Sequence, residues 1–170
     1  VIALDAKGQE KLFLKKECKF SYRSSIFKEK GFIILSVAFI VKKGDKLAIQ
    51  ASSASHIAYR EEKHPLEYPN AGSVFKNCDL KKFSPTLQKV FQPIVKIDPF
   101  PVVPVAYLND QAGLKGMRQK NIQISTKHTN FMINLGGGKA KDVMLLVQKA
   151  KKIIKKKFGV ELEQEIEFVK

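Results

Sequence analysis

Apolar positions along this chain fall into short runs and alternations, with one long stretch at helical spacing. In Lys139 to Phe158, Val143, Leu146, Val147, Ala150, Ile153 and Ile154 recur three and four apart and form a single stripe. That spacing predicts a helix buried along one side. Asp142 in its first turn and Lys155, Lys156 and Lys157 in its last suit the helix dipole, and Gly159 supplies a stop. A second helix is expected from Lys46 to Glu62, on a thin stripe of Leu47, Ala48, Ala51, Ala54 and Ala58, ended by Pro65. Shorter helices are expected over Lys81 to Phe91, with Pro85 near the first turn, and over Val105 to Ala112, closed by Gly113.

Strands account for the rest. Val1 to Asp5 and Lys11 to Leu14 flank a Lys7-Gly8 turn. Phe32 to Val41 is an almost unbroken apolar run and predicts a buried strand. Ile122 to Ser125 and Phe131 to Asn134 both alternate and predict a pair. Ile97 to Pro104 carries Pro99, Pro101 and Pro104, so it is expected to be extended but not a central strand. Val160, Leu162, Ile166, Phe168 and Val169 predict a final strand with Glu165 at its centre.

Composition narrows the function. The chain has 170 residues, 44% hydrophobic and 28% charged, which reads as globular. No run approaches the roughly 20 apolar residues of a membrane span. Cys18 and Cys78 lack ligand spacing, and His56 and His64 have no ligand partner at helical spacing, so no metal is expected. Gly136-Gly137-Gly138 is followed by no Gly-Lys-Ser/Thr and reads as a flexible turn. The net charge is +15, from 31 Lys and Arg against 16 Asp and Glu. That balance favours an anionic partner without choosing among nucleic acid, acidic lipid and phosphorylated small molecules. A reducing cytoplasm is the simplest setting for two unpaired cysteines. The chain opens at Val1 rather than Met, directly into a strand pattern, and is read as continuing a longer protein.

One stretch combines turn chemistry with reactive groups: Tyr68-Pro69-Asn70-Ala71-Gly72-Ser73-Val74-Phe75-Lys76-Asn77. Pro69 sets φ, Asn70 tolerates unusual angles, and the small Ala71-Gly72 pair leaves room for a close approach. Ser73 then offers a hydroxyl, and Lys76 and Asn77 a cation and an amide suited to phosphate or carboxylate oxygens. Taken alone, the stretch is better read as a tight turn whose serine bonds its own backbone, because Gly-Ser turns are common.

Together with Tyr22-Arg23-Ser24-Ser25-Ile26-Phe27-Lys28 and Gly159-Val160-Glu161-Leu162-Glu163-Gln164-Glu165-Ile166, the stretch resembles the serine, arginine and glutamate motifs of the UDP-N-acetylenolpyruvoylglucosamine reductase (MurB) family, flavoenzymes of peptidoglycan precursor synthesis. Ala112-Gly113-Leu114-Lys115-Gly116 and Ser125-Thr126-Lys127-His128-Thr129-Asn130-Phe131 match the same pattern in the same order. The step from Arg23 to Ser73 resembles the shorter subtype, which lacks an inserted tyrosine loop. Lys120-Asn121-Ile122-Gln123 departs from the family, where a Gly-Gly-Ala-Gln run is usual.

The resemblance implies hydride transfer from NADPH to FAD and then to the enolpyruvyl group of UDP-N-acetylglucosamine enolpyruvate. It implies Ser73 as proton donor to the α-carbon, Arg23 and Glu165 polarising and orienting the enolate, and Lys76, Asn77, His128 and Asn130 as contacts to the UDP-sugar. Arg23, Ser73 and Glu165 are then expected around one cleft. By the same resemblance, residues 1–62 end a flavin-binding α+β domain whose cofactor contacts lie mostly upstream. Residues 63–157 form a small α+β substrate-binding domain, and residues 158–170 a strand returning toward the upstream region. The isolated chain is expected to bind FAD weakly or not at all and to show no NADPH oxidation. Residues 79–105 read as an insertion relative to the family, either a cover for the cleft or a passive surface loop. No nucleic-acid or membrane partner follows from the resemblance. The competing class is a non-enzymatic module that applies the lysine-rich helix to nucleic acid or another anion; it leaves the three motifs unexplained.

Overall fold

A computed structural model of the chain describes residues 1–29 and 31–169. It divides into two compact units, Val1–Ile49 and Gln50–Lys170.

The first unit is built on β1 (Ile2–Leu4), β2 (Glu10–Leu12), α1 (Ile26–Glu29) and β3 (Ile33–Ser36). Its antiparallel sheet has the order β2-β1-β3. A small cluster holds it together: Ala3, Cys18, Ile26 and Phe27 are buried, with Phe13 and Phe32 against them. The rings of Phe13, Phe27 and Phe32 meet edge to face at 5.1–5.9 Å, the arrangement favoured by ring quadrupoles. The expected buried strand over Phe32 to Val41 is corrected. Only Ile33–Ser36 is a strand, and Ile33, Ile34 and Leu35 are 62, 50 and 50% exposed. β3 is an edge strand, and only Phe32 turns into the cluster. An apolar run is buried only where a second layer covers it.

α2 (Lys46–Lys63) contains the boundary between the units and, as its weak stripe suggests, has no buried residue. The second unit continues with β4 (Asn70–Ser73), β5 (Cys78–Asp79), a 3-10 turn at Leu80–Lys82, α3 (Pro85–Phe91), a second 3-10 turn at Gln92–Ile94, β6 (Lys96–Ile97) and β7 (Pro101–Val103). Then come α4 (Val105–Gln111), β8 (Arg118–Gln119), β9 (Ile122–Ile124), β10 (Phe131–Asn134) and α5 (Ala140–Phe158). Its two antiparallel sheets have the orders β4-β10-β9-β8 and β5-β7-β6. α5 lays Leu146, Val147, Ala150 and Ile154 into the core. Leu146, Val147 and Ile154 each contribute on the order of 1.5–3 kcal/mol, and the single methyl of Ala150 less. The Asp142 carboxylate accepts the Lys139 N–H at 3.3 Å, and Gly159 ends α5 at φ +72°, the left-handed stop that glycine allows.

Residues 79–105 are not a loose surface loop. Leu80, Phe83, Phe91 and Val103 are part of the same core, and Phe91 meets Phe158 of α5 at 5.9 Å. The helix expected from Lys81 begins at Pro85, because Ser84 caps it, its hydroxyl accepting the Leu87 N–H. β7 is the central strand of its sheet, contrary to the expectation from its prolines. Pro101 occupies only the first position, and Val102 and Val103 carry the pairing to β5, so the missing N–H falls at the strand's end.

The expected final strand is reduced to one bridge, Phe75 with Gln164. It is flanked by Lys76 N–H to Glu163 C=O and Glu165 N–H to Val74 C=O, both 2.9 Å. The segment therefore packs along residues 74–76 of its own unit; Lys170 lies outside the described residues.

Candidate active site

The geometry around Ser73 starts with the bulge before it. β4 and β10 pair at Ser73–Phe131 and at Asn70–Ile133, with the register shifting between. Gly72 takes up the irregularity at φ +77°. A Cβ there would meet nothing within 4 Å, so the glycine serves the backbone angle and not a close approach. Asn70 ties the turn down. Its Oδ1 accepts the Gly72 N–H at 3.0 Å, and its Nδ2 donates to the carbonyls of Tyr68 and Pro65. Such a bulge re-aims the next side chain, which is Ser73.

Val74 is the hub behind Ser73. Its N–H donates to the Asn130 carbonyl at 2.8 Å, and its carbonyl accepts the Glu165 N–H at 2.9 Å. Ser73 and Glu165, distant in sequence, are thus referred to one residue, and both are half-buried. Residues opposite each other in an antiparallel pair share a face. Ser73 is therefore on the side of Phe131, whose ring packs against His64 and His128 at 4.9 and 4.8 Å.

Four further expected site residues surround this hub. Lys76 forms an ion pair with Glu163 at 2.5 Å, which holds the Glu163 carboxyl below its ordinary range. Asn77 Oδ1 accepts the Val105 N–H at 3.1 Å. It thereby satisfies the first amide of α4, for which the preceding Pro104 offers no side-chain cap. His128 Nδ1 accepts the Asn130 N–H at 3.3 Å, which leaves the ring proton on Nε2. Burial is the main force lowering the His128 pKa, with the neighbouring His64 adding to it. His64 is lowered as well, by burial and then by Arg60 and Lys127. Asn130 is buried and bonds Phe75 with both ends of its amide.

Arg23 belongs to the first unit. It closes a two-residue turn between Ser21 and Ser24, which exchange backbone hydrogen bonds at 3.0 and 3.2 Å. Its φ is +55° and its guanidinium lies 5.1 Å from the Tyr22 ring centroid. A left-handed arginine where glycine would be easier costs on the order of 1–2 kcal/mol, the kind of local strain that accumulates at functional sites.

Pattern reading missed the shared dependence on Val74 and the role of His64. His64 carried a signal, standing just before the Pro65 that ends α2, but its partner His128 is 64 positions on. Among the described residues, no cluster of His, Cys, Asp and Glu could hold a metal ion, and no helix is long and apolar enough to cross a membrane.

An α+β unit that seats a serine on a glycine bulge, beside an extended C-terminal carboxylate segment, is the class of protein defined here. Residues 64–169 match the family described as UDP-N-acetylenolpyruvoylglucosamine reductase, C-terminal domain. The UDP-N-acetylenolpyruvoylglucosamine reductase of Fervidobacterium nodosum is 42% identical over all of this chain and 48% of its own length. That of Carboxydothermus hydrogenoformans is 35% identical over 98% of this chain and 48% of its own. The crystal structure of the Thermus caldophilus reductase (MurB) superposes with a TM-score of 0.69 at 27% identity, covering 98% of this chain and 51% of that one. The chain belongs to the UDP-N-acetylenolpyruvoylglucosamine reductase family, and it spans about half the length of the curated relatives it matches.

Proposed function

We propose that this chain supplies the substrate side and the proton-delivery side of a UDP-N-acetylenolpyruvoylglucosamine reductase. The observation that carries the reading is the seating of Ser73. A bulge aims it, and the residue behind it is bonded both to Asn130 and to the backbone of Glu165.

Reduction of an enolpyruvyl double bond adds hydride at one carbon and a proton at the other. After hydride addition, charge on the α-carbon is shared with the substrate carboxylate and needs fixed partners and an acid. In this reading the Ser73 hydroxyl gives its proton to the α-carbon. Against so basic a centre, a half-buried hydroxyl is a competent donor. Glu165 and Arg23 orient and polarise the carboxylate end. His128 offers Nε2–H and Asn77 offers Nδ2 to the UDP-sugar, since the opposite atoms are engaged by Asn130 and Val105. Lys76 acts through its ion pair with Glu163, and Asn130 through its hold on Phe75.

FAD and NADPH enter the reading as the hydride source. The apolar hollow of the first unit, about 400 Å³, is lined by Val1, Lys15, Cys18, Phe20 and residues 37–40. One cation and no glycine turn do not make a cradle for a dinucleotide pyrophosphate. The residues lining it therefore do not fit that cofactor, and the hydride side is assigned to no residue of this chain. Residues 1–62 as the end of a flavin-binding domain, 63–157 as the substrate domain and 158–170 as its returning segment remain part of the proposal. So does a cytoplasmic setting, which two buried free thiols suit.

The anion-binding alternative leaves the serine, arginine and glutamate motifs unexplained, although α5 keeps most of its positive charge. Lys149, Lys151 and Lys157 bond Gln119, Gln164 and the Gln111 carbonyl, and Lys155 pairs with Glu161. The test is Ser73→Ala in the flavin-loaded reductase, followed by stopped-flow flavin absorbance. Flavin reduction by NADPH is expected to be unchanged, and reoxidation by the UDP-sugar to slow by roughly 10²-fold or more. A variant slowed only in flavin reduction, or in neither step, would make Ser73 a turn residue.

A further inference from the structure

The geometry points to Asn130 as a positioning residue that sets Ser73 and Glu165 in one register by standing in for an absent strand residue beside Phe75. The inference rests on the reading of Ser73 and Glu165 given above and deepens it.

β10 begins only at Phe131, so the chain before it has already turned away when it reaches Phe75. Phe75 is 1% exposed, and a buried backbone N–H and C=O must both find partners. On one side, residues 163–165 run along residues 74–76. On the other, the Asn130 amide takes the place of a backbone peptide group: Oδ1 accepts the Phe75 N–H at 3.1 Å, and Nδ2 donates to the Phe75 C=O at 2.8 Å. The same residue's carbonyl accepts the Val74 N–H. Three bonds from one residue thus hold the two positions after Ser73, and the Val74 carbonyl passes the alignment on to Glu165.

Asn130 is in turn held from behind. Asn109 of α4 donates to the Thr129 carbonyl at 2.8 Å, the Thr129 hydroxyl donates to the Ala106 carbonyl at 2.5 Å, and the Asn130 N–H donates to His128 Nδ1. Only a side chain with one donor and one acceptor at fixed spacing can mimic a peptide group. An aspartate of the same size keeps the acceptor, loses the donor, and presses a charge against the Phe75 carbonyl. Once protonated, its O–H restores the donor.

The experiment is amide hydrogen exchange by NMR on the 170-residue chain, comparing Asn130→Asp with Asn130→Ala. At pH 7.5, protection of the Val74, Lys76 and Glu165 amides is expected to fall at least tenfold in both variants. The Gly116 and Ile124 amides, remote from the clamp in the bonding network, should keep theirs. On acidification toward pH 5, protonation of His64 and of His128 (whose Nδ1 accepts the Asn130 N–H) loosens every form alike. Relative to the unmodified chain, the aspartate variant is there expected to regain protection at those three positions, and the alanine variant is not. In the flavin-loaded reductase, Asn130→Asp is expected to lower kcat about tenfold with KM for the UDP-sugar within twofold, and to slow Ser73→Ala no further. Unchanged protection at Val74, Lys76 and Glu165, a loss spread evenly over the fold, or full kcat despite loosened amides would each overturn the inference. Should neither variant fold, the unmodified chain decides: an Asn130 side-chain amide exchanging at the rate of a free amide refutes the clamp. If Ser73→Ala proves fully active, the assignment of Ser73 fails while the exchange data still judge Asn130.

Discussion

Gly72 and Gly138 differ in why they are glycine, and substituting each should show it. Gly72 sits at φ +77° with open space where a Cβ would be. Alanine there meets no steric obstacle and carries only the left-handed penalty, about 1–2 kcal/mol. The reduced freedom of the unfolded chain offsets part of this, by about 0.4–1 kcal/mol. The net loss should be about 1 kcal/mol, or roughly 2–4 °C in Tm for a chain of this size. Asparagine tolerates the left-handed region, so Gly72→Asn should lose less than Gly72→Ala. At Gly138 the angle is not left-handed, but a Cβ would lie 2.5 Å from Ile122 Cδ1 and 2.8 Å from Asn134 Oδ1. Alanine there overpacks, at roughly 1–3 kcal/mol, and the larger asparagine should be worse. The order of Ala and Asn therefore inverts between the two sites. Urea unfolding followed by circular dichroism, with midpoints compared at equal slope, measures both series. If Gly72→Ala shows no loss, or Gly72→Asn is no better, the backbone relaxes its angle freely. The bulge then does not aim Ser73.

Two further outcomes follow from a half-buried histidine pair and a buried thiol. His64 and His128 titrate below their ordinary 6.5 in the folded chain, so the unfolded chain binds protons first as pH falls. Stability should be flat above pH 7 and decline from about 6.5 downward, before the depressed carboxyls of Glu161 and Glu163 contribute any loss below about 4.5. Urea midpoints at pH 7.5 and 5.5 should differ less in a His64→Gln, His128→Gln double variant, and an unchanged difference would reject the histidines as the cause. Burial pushes the Cys78 thiol up to about 11, so at pH 8 it should react with a disulfide reagent no faster than the unit unfolds; rapid labelling in the folded chain would contradict its burial.

Local pattern was enough for the elements whose signal is contained in a few turns. α5, its dipole charges and its Gly159 stop were legible because periodicity, charge and cap all lie within one segment. The β9–β10 pair was legible from alternation on both sides of a short connection. The motifs of Arg23, Ser73 and Glu165 carried the family resemblance, because residue types at short spacings survive in a linear reading. Whether Phe32 to Val41 is covered depends on a second layer, which no local run encodes. β7 became central because Pro101 stands at the end of a two-sided pairing, and pairing order is a non-local fact. The roles of Asn77 and Asn130 also waited on tertiary structure. Each satisfies a backbone group far along the chain, 28 positions away in one case and 55 in the other. A hydrogen bond of that reach leaves no periodic trace. It exists only once the core has brought α4, β10 and the Ser73 stretch together.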